Sequence, residues 1–416
     1  MSARAAMRVA RLCSVFEPPV GAVTGRARRF DPIGGMQNHT ACLTRALDAR
    51  GIEQHVVTTR PPGAPAVHRI GDGAAVHRLG LPVPWARQCW APFAAARLHG
   101  LARGCDLLHA HLGEDLAVVP LALSAARRHR IPLVLTVHMS LAHTFVATTM
   151  RTHAVRVLGA PLERLGVRAA DAVIALTPRL AGRLVSSGVS EDRVRAIPSG
   201  VEPGRFGPRA DEDRPPGGRA PRVGYVGRLC SQKSVATLID AFGRLSCGDA
   251  RLVLVGDGPA RRALERRAAR RGLGGRVEFA GFRHHDEIPA LLRSLDVLVL
   301  PSLYEELGSV LVEGMQAGLP IVASRTGGTP DVLGDAGVLV TPGAAGELAA
   351  ALDRLFGDPA ARAALRERAR RRAARFHWDR LAGEVLGVYD AVVHRRRAPV
   401  RRAGERARVA VPALPR

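Results

Sequence analysis

Short apolar runs alternate with segments of helical periodicity along most of this chain. The clearest example begins with the run Val297–Leu300, closed by Pro301, and ends with a second run at 320–323. Runs this short and rich in β-branched residues are typical of buried parallel strands. Between them, residues 310–317 place apolar side chains at helical spacing. This stretch therefore predicts a strand–loop–helix–strand unit.

The same alternation in both halves of the chain predicts the α/β fold class. Buried strands are predicted near residues 7–10, 106–109, 132–138, 171–177 and 193–202 in the first half, and near 223–229, 251–255, 277–282 and 337–340 in the second. A chain of 416 residues is long enough for two or three domains with complete cores. Residues 60–84, which are rich in proline and glycine, are predicted to form a surface excursion.

Changes in composition mark the predicted domain boundaries. Residues 7–202 are predicted as the first domain, and 203–221, which contain five prolines among acidic residues and glycines, as the linker. The second domain is predicted over 222–376, followed by an amphipathic helix over 377–394. Residues 395–416, rich in arginine, alanine and proline, are predicted to be a disordered basic tail.

The charge of the chain is strongly positive, with 61 Lys+Arg against 37 Asp+Glu and a formal net charge of +24. Lys233 is the only lysine, which we interpret as codon bias toward arginine in a GC-rich genome. The excess favours anionic partners such as nucleotide sugars or acidic lipids. Nucleic-acid binding is disfavoured, because aromatic residues make up only 4% and no helix-turn-helix, zinc or OB-fold pattern is present.

The apolar runs and the cysteines bear on where the protein works. No uncharged apolar run reaches the roughly 18 residues that span a bilayer, and no signal-peptide pattern opens the sequence. The six cysteines have no C-x-x-C spacing, so reduced thiols and a cytoplasmic location are expected. A helix is predicted at 85–102, and its apolar side chains favour packing against the core. Its aromatic and basic residues, with the basic stretch 140–165, leave peripheral contact with an anionic membrane as an alternative.

The loop before the central helix of the strand–loop–helix–strand unit lies at the carboxyl end of a predicted strand, where open α/β sheets bind ligands. Backbone amides at Gly308, Ser309 and Val310, where the helix begins, suit a phosphate group. Glu305 and Glu313 would repel a phosphate, so they are expected to accept hydrogen bonds from hydroxyl groups. A phosphate flanked by a polyol predicts a nucleotide sugar.

Three further features lie where a predicted strand ends. Gly34 and Gly35 open a helix after the first strand, which allows the backbone to approach a phosphate closely. His138 ends a buried strand, a position suited to hydrogen bonding with a substrate hydroxyl. Arg228 and Lys233 follow the first strand of the second domain. On spacing alone, the double glycine and the histidine are also compatible with a structural role.

The segment PSLYEELGSVLVEGMQAGLPIVAS, followed by Gly327 and Gly328, resembles the E-x7-E region of retaining glycosyltransferases of family 4. The resemblance extends over roughly residues 8–394. It implies the GT-B fold, in which two Rossmann-like domains face a central cleft and the last helix crosses back to the first domain. The implied activity is transfer of a sugar from a nucleoside diphosphate to an acceptor hydroxyl without a metal.

The resemblance also implies roles for individual residues. Glu305 is placed beside the donor sugar, and Glu313 at the ribose hydroxyls. His138 ends a T-x-H segment that touches the donor sugar. Arg228 and Lys233 match a G-R-L…K-G element that neutralises the diphosphate. The implied catalytic set is Glu305, His138, Arg228 and Lys233. The other implied donor-binding residues are Gly34, Gly35, Gly308, Ser309 and Val310.

The sequence departs from the family pattern at several positions. Glu306 and Leu307 stand where Gly-Phe is commonest, and Ser234 replaces the final glycine of the G-R-L…K-G element. Glu306 adds negative charge near the expected diphosphate, which leaves the identity of the donor open. The acidic triplet 211–213 matches the D-x-D metal motif of a different glycosyltransferase fold, but in a proline-rich linker it is interpreted as solvated charge. No metal or other cofactor is predicted.

Two alternatives to sugar transfer remain at this stage. A UDP-sugar epimerase of the same fold would alter the sugar without needing an acceptor. A catalytically silent GT-B scaffold would keep the fold but lose the charges of the cleft. The presence of Arg228, Lys233, Glu305 and Glu313 argues against the silent scaffold.

Overall fold

The computed structural model describes residues 7–18, 34–82, 87–143, 150–207 and 220–397. The acidic triplet, most of the predicted linker and the predicted tail after residue 397 lie outside the described residues. Within the described ranges, the chain forms two sheets that are flanked by helices.

The first sheet is built from eight strands of the N-terminal half. These are β1 (Arg8–Cys13), β2 (Glu53–Thr59), β3 (Val67–Ile70), β4 (Ala74–Leu79), β5 (Leu107–Leu112), β6 (Leu133–Val137), β7 (Ala172–Ala175) and β8 (Val194–Ala196). Their spatial order is β3-β4-β2-β1-β5-β6-β7-β8, and only the β3–β4 pair is antiparallel. The helices of this half are α1 (Gly35–Asp48), α2 (Ala91–Ala102), α3 (Val118–His129), α4 (Met150–Ala169) and α5 (Pro178–Ser186).

The second sheet has six parallel strands in the order β11-β10-β9-β12-β13-β14. They are β9 (Arg222–Val226), β10 (Arg251–Val255), β11 (Val277–Gly281), β12 (Val297–Leu300), β13 (Ile321–Ser324) and β14 (Val338–Val340). The helices of this half are α6 (Val235–Phe242), α7 (Arg261–Arg270), α8 (Ile288–Arg293), α9 (Ser309–Gln316), α10 (Thr329–Leu333), α11 (Ala345–Gly357), α12 (Pro359–Ala373) and α13 (Trp378–Arg397). Two α/β units with parallel sheets are what the alternating pattern predicts.

The surface excursion predicted for residues 60–84 is wrong for residues 67–79, and residues 83–84 lie outside the described residues. β3 and β4 lie there and pair as a hairpin, with Val67 opposite His77. β4 also pairs in parallel with β2, so the hairpin extends the first sheet. Part of the glycine content that suggested a loop lies in the turn of the hairpin. Gly71 has a φ of 57° there.

The last helix returns to the first sheet, as the GT-B resemblance implies. Trp378 and Tyr389 of α13 lie in the same buried cluster as Val9 of β1. A parallel bridge between Val201 and His377 brings the start of this helix beside the end of the first half. The crossing helix of the predicted fold is therefore confirmed.

None of the described helices combines the length and the apolar character required to cross a bilayer. The helix predicted at 85–102 begins at Ala91 after a short 3-10 turn, and Trp85 lies outside the described residues. Trp90 is buried in the core of the first half and donates its indole N–H to Asp115 at 3.0 Å. This tryptophan serves core packing and is not available to a membrane surface.

Candidate active site

The carboxyl ends of the two sheets meet across one cleft. Thr177, two residues after β7, donates its hydroxyl to Glu306 Oε1 at 3.0 Å and so joins the two halves of the chain. Elsewhere in the cleft, a Cβ built on Gly35 would lie 2.7 Å from Ser309 Oγ. The N-termini of α1 and α9 therefore lie against each other, and the two domains are closed.

A small cavity lies between the closed domains. It has a volume of about 10 Å³ and is lined by Asn38 and His39 of α1 and by Ser309 and Glu313 of α9, among others. That is room for about one water molecule. A nucleotide sugar is far larger and does not fit in this cavity as the domains are arranged here.

The predicted phosphate cations lie at the carboxyl edge of the second sheet. Lys233 follows β9 in a 3-10 turn, and its Nζ forms an ion pair with Glu305 Oε2. The same carboxylate oxygen accepts a hydrogen bond from Ser302 Oγ at 3.2 Å. Arg228 is exposed, and its guanidinium forms no ion pair with the described residues. The structure thus brings Lys233 and Glu305 together and leaves Arg228 exposed, two residues after β9.

Ser234 explains why glycine is common at its position in the family. Its φ of 47° and ψ of 39° place it in the left-handed region, which a side chain disfavours by about 1 kcal/mol. We expect Ser234→Gly to raise the free energy of unfolding by about that amount, as measured by urea denaturation. Gly308→Ser serves as the reverse control, because Gly308 has a φ of 74° and its substitution should destabilise. An unchanged or lower midpoint for Ser234→Gly would contradict the interpretation.

The N-terminus of α9 carries the amides predicted to bind phosphate. Gly308 precedes the helix, and among the described residues no side chain caps the first turn, so the backbone donors of Ser309 and Val310 have no side-chain partner there. A Cβ on Gly308 would lie 3.0 Å from Leu300 Cδ2 and 3.1 Å from Glu305 Cγ, so the loop packs tightly beneath the amides. This arrangement suits an anion at the positive end of the helix dipole.

Glu313, the predicted ribose ligand, is buried and already hydrogen-bonded. Its Oε1 lies 3.1 Å from His285 Nε2, and His285 Nδ1 lies 3.9 Å from Glu17 Oε1. His285 is therefore hydrogen-bonded to Glu313 and lies near Glu17 of the first domain, but its Nδ1 is buried without a hydrogen-bond partner among the described residues. The sequence analysis assigned no role to His285, which follows β11 and lines the cleft cavity.

The Glu306 carboxylate is directed toward the first domain. The carboxylate accepts hydrogen bonds from Thr177 Oγ1 at 3.0 Å and from the Tyr304 hydroxyl at 2.8 Å, and the residue is buried. The backbone turn at 327–328 packs against it, since a Cβ on Gly328 would lie 2.1 Å from the Glu306 carbonyl oxygen. The residue that departs from the family pattern thus forms a contact between the two domains.

His138 lies one residue beyond β6, at the edge of the first sheet that faces the cleft. Its ring lies 4.5 Å from that of His39, which lines the cleft cavity. Burial, assisted by the charge of Arg11, lowers the pKa of His138 to about 3. Burial likewise lowers the pKa of His39, His109 and His111 well below the usual range. These four histidines are therefore uncharged at neutral pH. Of the four, only His138 was predicted from the sequence as a site residue.

Two family models match the chain. The model described as Glycosyltransferase Family 4 matches residues 33–205, and the model described as Glycosyl transferases group 1 matches residues 209–372. Together they cover both halves of the closed cleft.

Two relatives of known activity are similar along most of the chain. The 2-deoxystreptamine glucosyltransferase of Streptomyces kanamyceticus is 32% identical over 387 residues, which cover 87% of this chain and 100% of that protein. The 2-deoxystreptamine N-acetyl-D-glucosaminyltransferase of Streptomyces fradiae is 32% identical over 379 residues, which cover 85% of this chain and 88% of that protein.

Solved structures share the architecture. Sucrose-phosphate synthase from Thermosynechococcus elongatus superposes with a TM-score of 0.80 at 26% identity, covering 94% of this chain and 100% of that chain. HepE of Anabaena, solved in complex with UDP and glucose, has the same fold, with a TM-score of 0.71 at 23% identity and coverage of 92% and 100%. The matched family models, the relatives and the folded architecture agree: this chain belongs to the family 4 glycosyltransferases of the GT-B fold.

Proposed function

We propose that this glycosyltransferase moves a sugar from a nucleoside diphosphate to a hydroxyl of a small polar acceptor, with retention of the anomeric configuration. The observation that carries the proposal is the composition of the closed cleft. Arg228, Lys233 and the uncapped amides of α9 line one side. The other side presents Gly35 and His138.

The ion pair between Lys233 and Glu305 suggests how donor binding proceeds. A diphosphate that enters beside Lys233 competes with Glu305 for the ammonium group. Once the lysine binds phosphate, the Glu305 carboxylate accepts hydrogen bonds from sugar hydroxyls. Donor binding would thereby replace the ion pair between Lys233 and Glu305 by two contacts with the substrate. The lysine would bind the anionic phosphate, and the glutamate would accept hydrogen bonds from the sugar.

In the transfer step, the bond between the anomeric carbon and the phosphate oxygen breaks as the acceptor oxygen bonds to that carbon. Negative charge grows on the leaving diphosphate, where Arg228, Lys233 and the α9 amides stabilise it in a partly desolvated site. The acceptor proton passes to an oxygen of the leaving phosphate. Closure of the domains excludes water and suppresses hydrolysis of the donor.

The named relatives suggest the class of acceptor. Both transfer sugars to 2-deoxystreptamine, an aminocyclitol. In this chain, Glu114 follows β5 at the cleft-facing edge of the first sheet, is exposed, and pairs with no described cation. An unpaired carboxylate at that edge suits an ammonium group of such an acceptor, in spite of the positive net charge of the chain.

The experiment that tests this function has two stages. UDP-, GDP-, ADP- and dTDP-sugars are screened for thermal stabilisation, because a bound donor raises stability by mass action. The stabilising donor is then incubated with and without 2-deoxystreptamine, and the products are analysed by mass spectrometry. A glycosylated acceptor supports the proposal. Alteration of the sugar without an acceptor would favour the epimerase alternative, and no turnover with a stabilising donor would favour the silent scaffold.

We propose that the reaction needs no metal ion. Among the described residues, His39, His111 and His138 place ring nitrogens within 4.8 Å of one another, as a metal site would require. However, a guanidinium nitrogen of Arg11 lies 2.9 Å from His111 Nε2, so a divalent cation there would meet a positive charge. These residues do not fit a metal.

Activity is therefore expected to survive excess EDTA, because fixed cations and helix amides neutralise the diphosphate. The measurement is the initial rate of transfer after dialysis against EDTA, with an untreated sample as control. Loss of the rate in EDTA, restored specifically by manganese or magnesium, would overturn the expectation.

A second candidate property, contact with an anionic membrane, is favoured by the surface of α4. Met150, Val157, Leu158 and Leu165 are exposed at helical spacing, with Val157 69% exposed. Exposed Arg156 and Arg164 lie on the same helix and, with Val157, line an open groove of about 420 Å³. An apolar stripe flanked by arginines suits the interface of an anionic bilayer.

Binding to liposomes distinguishes this surface from an ordinary exposed helix. We expect the protein to sediment with anionic liposomes more than with neutral ones at moderate salt, and Leu158→Glu to reduce that binding. Val67→Glu, a change at another exposed apolar position, is the matched control and should leave it unchanged. Equal sedimentation with neutral and anionic liposomes would leave α4 without a membrane role.

A further inference from the structure

A row of polar side chains crosses the apolar face of the first sheet beneath α1 and α13. Arg11 of β1 lies opposite His109 of β5, and His111 lies opposite Thr136 of β6. His138 follows two residues after Thr136, so strand alternation places it on the same face, at the edge of the cleft. The row therefore runs from the centre of the sheet to the active site.

Arg11 is fully buried and has no carboxylate partner among the described residues. One of its terminal nitrogens lies 2.5 Å from Thr44 Oγ1 and 3.2 Å from Gln54 Oε1, and the other lies 2.9 Å from His111 Nε2. Burial of an uncompensated charge is costly, and an apolar side chain would occupy this position more favourably. We therefore expect the buried guanidinium of Arg11 to have a role other than packing.

The hydrogen bonds of Arg11 determine where protons lie in the neighbouring histidines. A guanidinium only donates, so His111 Nε2 has to accept and its proton lies on Nδ1. His111 Nδ1 lies 3.0 Å from His138 Nε2, which therefore accepts in turn. The proton of His138 consequently lies on Nδ1. His138 Nδ1 bonds to no described residue, and it is not fully buried. It is therefore the ring nitrogen that can donate to a molecule in the cleft.

We infer that Arg11 is a positioning residue that acts through His111 to hold His138 as the Nδ1–H tautomer, so that His138 donates a hydrogen bond into the cleft and does not accept the proton of the acceptor. The surroundings favour this arrangement. The rings of His39, His111 and His138 pack edge to face or tilted against one another, which restricts rotation of the His138 ring.

The inference rests on the proposed function only for the identity of the oxygen that receives this hydrogen bond, which would belong to the donor sugar or its phosphate. It also gives a reason why the leaving phosphate takes the acceptor proton. A histidine whose cleft-facing nitrogen carries a proton has no lone pair there to serve as a base.

The test measures the tautomer directly and needs no substrate. Protein labelled with ¹⁵N-histidine is examined at pH 7.5 by long-range ¹H–¹⁵N correlation, and the His138 signals are assigned by their loss in His138→Gln. The wild-type protein should show His138 with its proton on Nδ1. Arg11→Met should shift His138 toward a mixture of both tautomers and lower kcat about tenfold, the effect of one lost hydrogen bond, with little change in donor KM. Arg11→Lys, which still donates, should restore the tautomer and most of kcat.

Matched variants keep the test decisive. If Arg11→Met does not fold, His111→Phe removes the middle of the chain of hydrogen bonds and should give the same tautomer mixture. A wild-type His138 with its proton on Nε2 would overturn the inference, as would an Arg11→Met protein with an unchanged tautomer or unchanged kcat. If no sugar transfer is found with any donor, the spectra still decide the tautomer, and the failure then belongs to the proposed function.

Discussion

Alanine in place of Lys233 or Arg228 is expected to lower kcat for sugar transfer by about 10²–10³, which corresponds to about 2.7–4 kcal/mol of transition-state stabilisation. Both cations lie at the carboxyl edge of the second sheet, where the leaving diphosphate gains charge in the proposed mechanism. Neither substitution removes an apolar contact of the core, so the fold should survive.

Lys233→Arg separates charge from shape at this position. The lysine lies in a tight 3-10 turn with its ammonium group against Glu305. A guanidinium keeps the charge but is larger and planar. Lys233 is the only lysine among 61 Lys and Arg residues, which indicates that an arginine does not fit at this position. We therefore expect Lys233→Arg to recover only part of the activity lost in Lys233→Ala.

Arg270→Ala is the matched control for these variants, because Arg270 is exposed at the carboxyl end of α7, away from the phosphate amides. Its kcat should equal that of the wild-type protein. Near-normal turnover in purified Lys233→Ala and Arg228→Ala would remove the phosphate-site assignment on which the proposed mechanism depends.

The second large effect concerns the stability of the fold in mild acid. His39, His109 and His111 have pKa values well below 6.5, and His138 has a pKa of about 3, in each case chiefly because of burial. Between pH 6.5 and those lower values, the unfolded chain binds protons at these positions and the folded chain does not. Stability therefore falls as pH falls below 6.5 and is unaffected by these groups above it.

The size of the effect follows from four residues acting together. At pH 5.5 each buried neutral histidine disfavours the folded state by about 1.4 kcal/mol relative to pH 7.5, so the four account for about 5 kcal/mol. Urea denaturation at the two pH values measures this difference. His68 and His77, whose pKa values burial lowers to about 4, add to the loss in the same way. His39→Gln should therefore reduce the loss by about 1.4 kcal/mol, while His394→Gln, at an exposed position of α13, should leave it unchanged. Equal stability at both pH values would show that these histidines are not buried in the neutral form.

Interactions whose two partners lie close together in the chain were predictable from local sequence patterns. The strand β12, the helix α9 and the two glutamates on either side of its first turn all belong to one short stretch. Their relation is set by strand and helix geometry, and the resemblance to family 4 adds the roles of Glu305 and Glu313. The buried strands of a parallel sheet are apolar on both faces, which made most of them visible as runs.

Interactions between distant segments were beyond the reach of such patterns. Arg11 and His111 are separated by 100 residues, and their contact depends on β1 pairing with β5. Thr177 and Glu306 are separated by 129 residues and meet only because the two domains close. A glutamate at position 306 therefore suggested charge beside the diphosphate, whereas its carboxylate binds the opposite domain. Only the three-dimensional arrangement distinguishes these two outcomes.

The central claim is retaining transfer from a nucleoside-diphosphate sugar, and the anomeric configuration of the first-formed product tests it most directly. The donor that stabilises the protein is incubated with the acceptor that it glycosylates, and the product is followed by ¹H NMR from the start of the reaction. The account predicts that an α-linked donor gives only an α-linked product, from the coupling constant of the anomeric proton. A β-linked product from the same donor would contradict it.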